Sequence, residues 1–197
     1  GACSAISARA TDSGPNRMAN YKIVFSGPTG AGKTTAIKSL SEIPVVKTDA
    51  SASDMTLSRK ASTTVAMDYG ILKLSNTERV HLYGTPGQQR FDFMWDILSE
   101  GALGLVLLID NSREKPFADL DFYLGAFKEF IDTTGVVVGV TQMDKSSTPT
   151  LRDYAQHLGQ QGRLLPVFEA DARKQRDVSI LVQVLLYSLD PGVHAHG

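Results

Sequence analysis

The sequence predicts an α/β protein, a three-layer sandwich whose mostly parallel sheet has one antiparallel edge strand. Apolar runs at residues 103–110 and 136–140 are almost unbroken, which is typical of strands covered on both faces. Segments with helical spacing of apolar residues, such as residues 116–132, alternate with these strands. A glycine-rich loop at residues 27–34 joins the first predicted strand to the first predicted helix. This alternation favours a parallel sheet with a layer of helices on each face.

The other elements follow from the same periodicities. Residues 64–74 and 78–83 flank a Ser-Asn-Thr turn and predict two strands joined in a hairpin. The polar stretch 42–62 is predicted to be a long loop, which in a compact domain is usually functional or disordered. The remaining predicted strands cover residues 21–25 and 164–168, and the remaining predicted helices cover residues 36–40, 91–99, 149–159 and 177–189.

Length and composition favour one globular domain over residues 18–190, between a disordered tail at residues 1–17 and a short tail at residues 191–197. The formal net charge of −1 argues against a nucleic-acid partner. The single cysteine, Cys3, cannot form a disulfide within the chain and favours a reducing compartment. The sequence has no apolar run of membrane-spanning length and no lipidation motif, so we expect a cytoplasmic protein without a direct membrane anchor.

The glycine-rich loop reads Gly-Pro-Thr-Gly-Ala-Gly-Lys-Thr, the pattern G-x-x-x-x-G-K-T of a phosphate-binding loop. Glycines allow backbone conformations in which successive N–H groups turn toward one phosphate, and the following helix adds the positive end of its dipole. The lysine would reach the β- and γ-phosphates of a nucleotide, and the final threonine hydroxyl would bind Mg²⁺. The predicted phosphate-binding residues are Gly27, Thr29, Gly30, Ala31, Gly32, Lys33, Thr34 and Thr35.

The loops of the chain together resemble those of the Ras-like small GTPase superfamily. Besides the phosphate loop, Thr64 falls at the position of the switch I threonine, and Gly87-Gln88 match the end of the switch II motif. Asp144 matches the aspartate of the base-binding motif N-K-x-D, and residues 171–173 fall at the S-A-K loop. More narrowly, the chain resembles the bacterial and archaeal branch that includes the cell-polarity GTPases of gliding motility and the actinobacterial conservon GTP-binding proteins.

The resemblance spans about residues 20–189 and implies a G-domain that binds GTP or GDP together with Mg²⁺. It implies that Thr34 and Thr64 bind the metal, and that the backbone N–H of Gly87 contacts the γ-phosphate. Gln88 would orient the attacking water. The predicted catalytic residues are Gln88, Lys33 and Thr64.

The resemblance implies base recognition by a second group of residues. The carboxylate of Asp144 would accept hydrogen bonds from N1 and from the exocyclic amine of guanine, a pair of donors that adenine lacks. The wrong base would leave this carboxylate desolvated and unpaired. The predicted base-binding residues are Thr141, Gln142, Asp144, Ala172 and Arg173.

Three positions depart from the family pattern. Gly84 stands where the family has an aspartate associated with Mg²⁺, and Asp49 and Asp54 are candidate replacements for that carboxylate. Thr-Gln at residues 141–142 replaces Asn-Lys, which predicts weaker base selectivity. Thr29 stands at a position that is glycine in many Ras-like proteins, and its side chain would crowd Gln88 and slow hydrolysis.

These observations predict a guanine-nucleotide switch whose slow GTP hydrolysis is stimulated by a partner. Two alternatives stay open: a nucleotide-stabilised scaffold with negligible hydrolysis, and a P-loop kinase or ATPase that uses ATP. The resemblance implies a regulatory or effector protein, of the roadblock type, as the partner.

Overall fold

The computed structural model of the protein describes residues 18–51, 64–87 and 98–189, and for residues 48–51 and 64–66 it describes the backbone alone. Its strands form one sheet and are β1 (Ala19–Ser26), β2 (Val46–Ser51), β3 (Thr64–Lys73), β4 (Glu78–Gly84), β5 (Gly104–Asp110), β6 (Val136–Thr141) and β7 (Val167–Glu169). The helices of the described residues are α1 (Lys33–Leu40), α2 (Pro116–Ala126), α3 (Lys128–Thr133), α4 (Leu151–Gln160) and α5 (Gln175–Ser188).

The sheet has the strand order β2-β3-β4-β1-β5-β6-β7. β3 runs antiparallel to both of its neighbours, and the other strands are all parallel to one another. The predicted α/β fold, with a mostly parallel sheet and one antiparallel strand, is therefore confirmed. The position of that strand needs correction: it is second in the sheet and not at the edge, because β2 pairs with its outer side.

Helices cover the sheet on both faces. Side chains alternate along β1, so that Ile23 and Phe25 belong to one apolar cluster and Val24 belongs to another. The first cluster contains the apolar sides of α1 and α5, and the second contains those of α2 and α4. β5 and β6 are buried along their whole length, which explains their unbroken apolar sequences. The predicted three-layer sandwich is confirmed.

Parts of the secondary structure differ from the prediction, and the strand predicted over residues 164–168 covers Val167–Glu169 instead. The stretch 42–62, predicted as a long loop, contains β2. This strand lies at the edge of the sheet, where hydrogen bonds to β3 hold a polar sequence that has little to bury. The helix predicted over residues 116–132 is divided at Phe127 into α2 and α3. The helix predicted over residues 91–99 lies mostly outside the described residues.

The carboxyl ends of the parallel strands meet at one edge of the sheet, which is where ligands bind in such folds. The loops that follow β1, β4, β6 and β7 all open at this edge, beside the N-terminus of α1. The sheet therefore gathers the predicted phosphate-binding and base-binding segments at one place. None of the described helices combines the length and the apolar character that crossing a membrane requires.

Candidate functional site

The phosphate loop follows β1, and its backbone explains the glycines in its sequence. Gly27, Gly30 and Gly32 have φ values of 143°, 84° and 99°, which residues with a side chain rarely adopt. A Cβ on Gly27 would also lie 2.0 Å from the carbonyl oxygen of Leu108, so no larger residue fits there. The loop leads into α1, which begins at Lys33, and the unpaired N–H groups of the helix N-terminus lie at the end of the loop.

Lys33 lies within the loop with 8% of its surface exposed. Its ammonium donates hydrogen bonds to the carbonyl oxygens of Gly27, at 2.6 Å, and Pro28, at 2.8 Å. Burial lowers the pKa of Lys33 to about 8, and the charge of nearby Asp68 opposes this shift. Because both carbonyl partners are neutral, a phosphate that entered the loop would meet a poorly solvated positive charge and would be bound strongly.

A carboxylate that the sequence analysis did not identify lies beside the loop. The hydroxyl of Thr34 donates a hydrogen bond to Oδ2 of Asp68, on β3. Asp68 pairs with Gly84 between β3 and β4, and a Cβ on Gly84 would lie 3.1 Å from the Cβ of Asp68. The Asp68 side chain therefore occupies the space beside Gly84, the position at which the family pattern has its aspartate. The two predicted replacements cannot be compared with it, since Asp54 and the side chain of Asp49 lie outside what the structure describes.

A cavity of about 360 Å³ lies over the loop, and we call it the phosphate cavity. Its lining includes Lys33, Thr34, Asp68, Gly87 and Lys47. Lys47 lies on β2 opposite Asp68 in the antiparallel pair, so both side chains project from the same face of the sheet. Two lysines, a carboxylate and a hydroxyl thus surround one cavity, and these are the groups suited to phosphate and to a divalent cation.

The segment that follows β4 packs onto the phosphate loop. A Cβ on Gly87 would lie 2.6 Å from the backbone nitrogen and 2.6 Å from the hydroxyl oxygen of Thr29, so only glycine fits at this contact. The predicted crowding of Gln88 by Thr29 stays a prediction, whereas Gly87 itself contacts Thr29. Gln88 lies outside the described residues, and of Thr64 only the backbone is described.

A second cavity, of about 350 Å³, adjoins the phosphate cavity, and we call it the base cavity. Gly32, Thr35 and Gln142 line both cavities. The base cavity is otherwise lined mostly by the loops after β6 and β7, at residues 141–145 and 169–174. An elongated ligand with an anionic end and a polar ring could occupy the two cavities together.

Thr141 connects the base cavity to the phosphate loop. Its side chain is buried, and its hydroxyl donates a hydrogen bond of 2.8 Å to the carbonyl oxygen of Ala31. Gln142, which follows it, has a φ of 61° and turns the chain toward the cavity lining. Although Thr-Gln replaces Asn-Lys in this motif, the Thr141 hydroxyl still fixes the motif against the phosphate loop.

Arg173 brings a positive charge toward Asp144 from the opposite loop. Its Nε and Nη2 donate hydrogen bonds of 2.9 Å and 2.8 Å to the two carboxylate oxygens of Asp171. These bonds lower the pKa of Asp171 to about 2. The same Nη2 lies 3.7 Å from Oδ2 of Asp144. Ala172 packs against the phosphate loop, since a Cβ on Gly32 would lie 2.8 Å from the Cβ of Ala172.

The structure thus brings the described residues of the predicted site to one edge of the sheet. Most of them line one of the two cavities, whereas Gly27 and Ala31 shape the loop beneath them. Sequence reasoning missed Asp68 and Lys47, which come from two paired strands and not from the predicted loops.

Several known proteins are similar to this chain. The uncharacterized protein MJ1339 of Methanocaldococcus jannaschii is 30% identical over 92 residues, which are 47% of this chain and 52% of the relative. The mutual gliding-motility protein MglA of Myxococcus xanthus is 29% identical over 110 residues, which are 54% of this chain and 55% of the relative. The Ras-related protein Rab-18 of Lymnaea stagnalis is 23% identical over 175 residues, which are 86% of this chain and 80% of the relative. The chain therefore spans about half the length of the first two of these relatives.

A protein family matches over most of the sheet. Its profile aligns with residues 44–187, and the family is described as conserved hypothetical ATP binding protein. The matched segment contains β2 to β7 and the loops of the base cavity, and it begins after the phosphate loop. The chain is thus related to the Ras-like small GTPases, and it belongs to the family described as conserved hypothetical ATP binding protein.

Proposed function

We propose that this protein is a guanine-nucleotide switch that hydrolyses GTP slowly and depends on a regulatory protein for faster turnover. The observation that carries the proposal is the adjacency of the two cavities, which share Gly32, Thr35 and Gln142. One cavity presents cations to an anion, and the other presents a carboxylate to hydrogen-bond donors. Nucleotide binding is also what the family description and the Ras-related relative support.

The phosphate loop would bind the β- and γ-phosphates. Lys33 would exchange its two carbonyl partners for phosphate oxygens. Because the ammonium is buried and its present partners are neutral, the charged oxygens would form stronger hydrogen bonds with it. The N–H groups of the loop and of the first turn of α1 would donate to the same phosphates. Lys47 would add a second positive charge from β2.

The residues around Thr34 fit a magnesium ion. A hydroxyl and a carboxylate are hard oxygen donors of the kind that Mg²⁺ prefers, and those of Thr34 and Asp68 are already in contact. Thr34 would bind the ion and Asp68 would hold the coordination shell in place, while Thr64 is the further ligand that the resemblance implies. When bound, Mg²⁺ neutralises the charge of the phosphate oxygens.

Slow hydrolysis is supported by the contact between Thr29 and Gly87. Thr29 fills the space beside Gly87, which precedes Gln88 in the sequence, and Gln88 would orient the attacking water. A regulatory protein that moved this segment would relieve the crowding and raise the rate. The roadblock type of partner is proposed from the family resemblance alone.

Binding of ATP is the second candidate function, and the description of the family favours it. Guanine is the better match to the base cavity because Asp144, which lines the base cavity but not the phosphate cavity, offers a carboxylate there. A carboxylate can accept two hydrogen bonds from the paired donors of guanine, whereas adenine presents an acceptor at N1.

A change of base preference tests the proposal directly. In an Asp144→Asn variant the amide would donate to the 2-oxo group of xanthine and accept from its N1. We expect the affinity for GDP to fall by about tenfold and the affinity for xanthosine diphosphate to exceed it, since two hydrogen bonds between the side chain and the base are exchanged. Titration calorimetry with GDP, xanthosine diphosphate and ADP measures all three affinities.

The gain of xanthosine diphosphate binding serves as the control for folding, because an unfolded variant would bind neither nucleotide. If the variant binds GDP as tightly as the wild type does, Asp144 does not recognise the base and the guanine proposal is wrong. If the wild type binds ADP as tightly as GDP, the ATP-binding alternative replaces it.

A further inference from the structure

A buried tyrosine in the opposite layer of helices contacts a residue that lines the phosphate cavity. Tyr123 lies on α2, in the apolar cluster on the far face of the sheet from α1, and 1% of its surface is exposed. Its hydroxyl donates a hydrogen bond of 3.1 Å to the carbonyl oxygen of Gly87. This bond joins α2 to a segment that lines the phosphate cavity.

The segment from β4 to Gly87 is held at both of its ends. At its start, the backbone N–H of Thr85 donates to the carbonyl oxygen of Phe25 at 2.9 Å, and the Thr85 hydroxyl lies 2.8 Å from that of Ser26. At its end, the described backbone of Gly87 is held by the Tyr123 hydroxyl. These contacts fix a stretch of three residues beside the phosphate loop.

The anchored end of this segment touches the phosphate loop itself. A Cβ on Gly87 would lie 2.7 Å from the Cα of Thr29, so the two backbones are in direct contact. Gly87 lines the phosphate cavity but not the base cavity. It therefore stands at the end of the site remote from the base, where the last phosphate of a bound nucleotide would lie.

We infer that Tyr123 is a positioning residue that gives the site its preference for a nucleoside triphosphate over a diphosphate. The inference rests on the proposed function and adds a residue to it. The hydroxyl holds Gly87 close to the phosphate loop, so that the backbone N–H of Gly87 meets the terminal phosphate without a prior rearrangement. A diphosphate leaves that part of the cavity empty and gains nothing from the bond.

Removal of one oxygen atom tests the inference. Tyr123→Phe keeps the ring in the apolar cluster and deletes the hydrogen bond to Gly87. Tyr154→Phe is a matched control, because Tyr154 is also buried in that cluster and donates one hydrogen bond of 2.7 Å to Asn111, away from the phosphate cavity. Each variant is compared with the wild type by titration with GDP and with a non-hydrolysable GTP analogue, and by thermal denaturation.

We expect Tyr123→Phe to lower the ratio of triphosphate to diphosphate affinity by about three- to tenfold, the value of one hydrogen bond that the ligand no longer finds in place. Tyr154→Phe should leave the ratio unchanged even if it loses as much thermal stability. The inference is overturned if both variants have the same ratio, or if Tyr123→Phe raises it, since Gly87 would then be held in a position that opposes the terminal phosphate. A wild type that binds neither nucleotide would instead overturn the proposed function.

Discussion

The phosphate cavity and the base cavity lie side by side, but their charged groups differ in how far they are exposed to water. The phosphate cavity rests on buried backbone and on Lys33, of which 8% is exposed. The base cavity depends on side chains in water, because those of Asp144 and Arg173 are 62% and 71% exposed. Charges in a dry environment interact more strongly than charges on the surface. We therefore expect affinity to come from the phosphate cavity and selectivity to come from weaker contacts in the base cavity.

The largest effect should follow loss of the buried lysine. Lys33→Ala removes the charge that the loop carbonyls hold, and we expect affinity for GDP and GTP to fall by about a hundredfold or more, as for truncation of a buried charged partner. Fluorescence titration with a labelled nucleotide measures this loss.

Lys38→Ala is the matched control for this variant, because Lys38 lies exposed on the same helix and does not line the phosphate cavity. It should bind nucleotide within about twofold of the wild type, as expected for a surface change. Nearly equal affinities of the two variants would contradict the view that the phosphate cavity supplies the binding energy.

A smaller effect is expected at the metal. Asp68→Asn keeps the shape of the side chain but removes its charge beside Thr34, and we expect the Mg²⁺ concentration needed for tight GDP binding to rise about tenfold, which is typical for residues that support a metal ligand. This requirement is measured by following the rate of GDP release at increasing Mg²⁺ concentrations. Asp132→Asn, at an exposed ion pair with Lys128, is the control. An unchanged Mg²⁺ requirement in Asp68→Asn would show that Asp68 does not serve the metal.

The smallest effect should appear in the base cavity. Arg173→Ala removes the cation that lies 3.7 Å from Asp144, and because the pair is exposed we expect the preference for GDP over ADP to fall by only about threefold. Arg176→Ala removes a nearby exposed cation on α5 that lines neither cavity, and it should leave the preference unchanged. Competition between GDP and ADP is the measurement. A loss as large as that of Lys33→Ala would show that the base cavity contributes as much to binding as the phosphate cavity does.

The sequence was sufficient for those parts of the site that are encoded locally. The phosphate loop is one continuous segment, and its glycines are required by the backbone at Gly27, Gly30 and Gly32. The buried strands β5 and β6 were equally visible, because strands covered on both faces are apolar without interruption. The three layers of the fold were predicted because these apolar strands alternate with segments of helical spacing.

The parts that were missed depend on pairing between strands. Asp68 meets Gly84 because the hairpin register places them opposite each other, and counting back from the turn after Lys73 would have shown it. Lys47 could not be placed in this way, since β2 is a polar edge strand without an apolar pattern. Tyr123 was not identified from the sequence, and its bond to Gly87 is seen in the structure.

Identifying the nucleotide that the purified protein carries decides whether the base cavity recognises guanine. Nucleotide released from the protein by denaturation would be identified by chromatography, and GDP, GTP and ADP would then compete for the emptied site with and without Mg²⁺. Our account predicts a guanine nucleotide, a GDP affinity well above that for ADP, and weaker binding when Mg²⁺ is removed. Equal affinities for GDP and ADP would contradict the proposed role of Asp144 and would favour an ATP-binding protein.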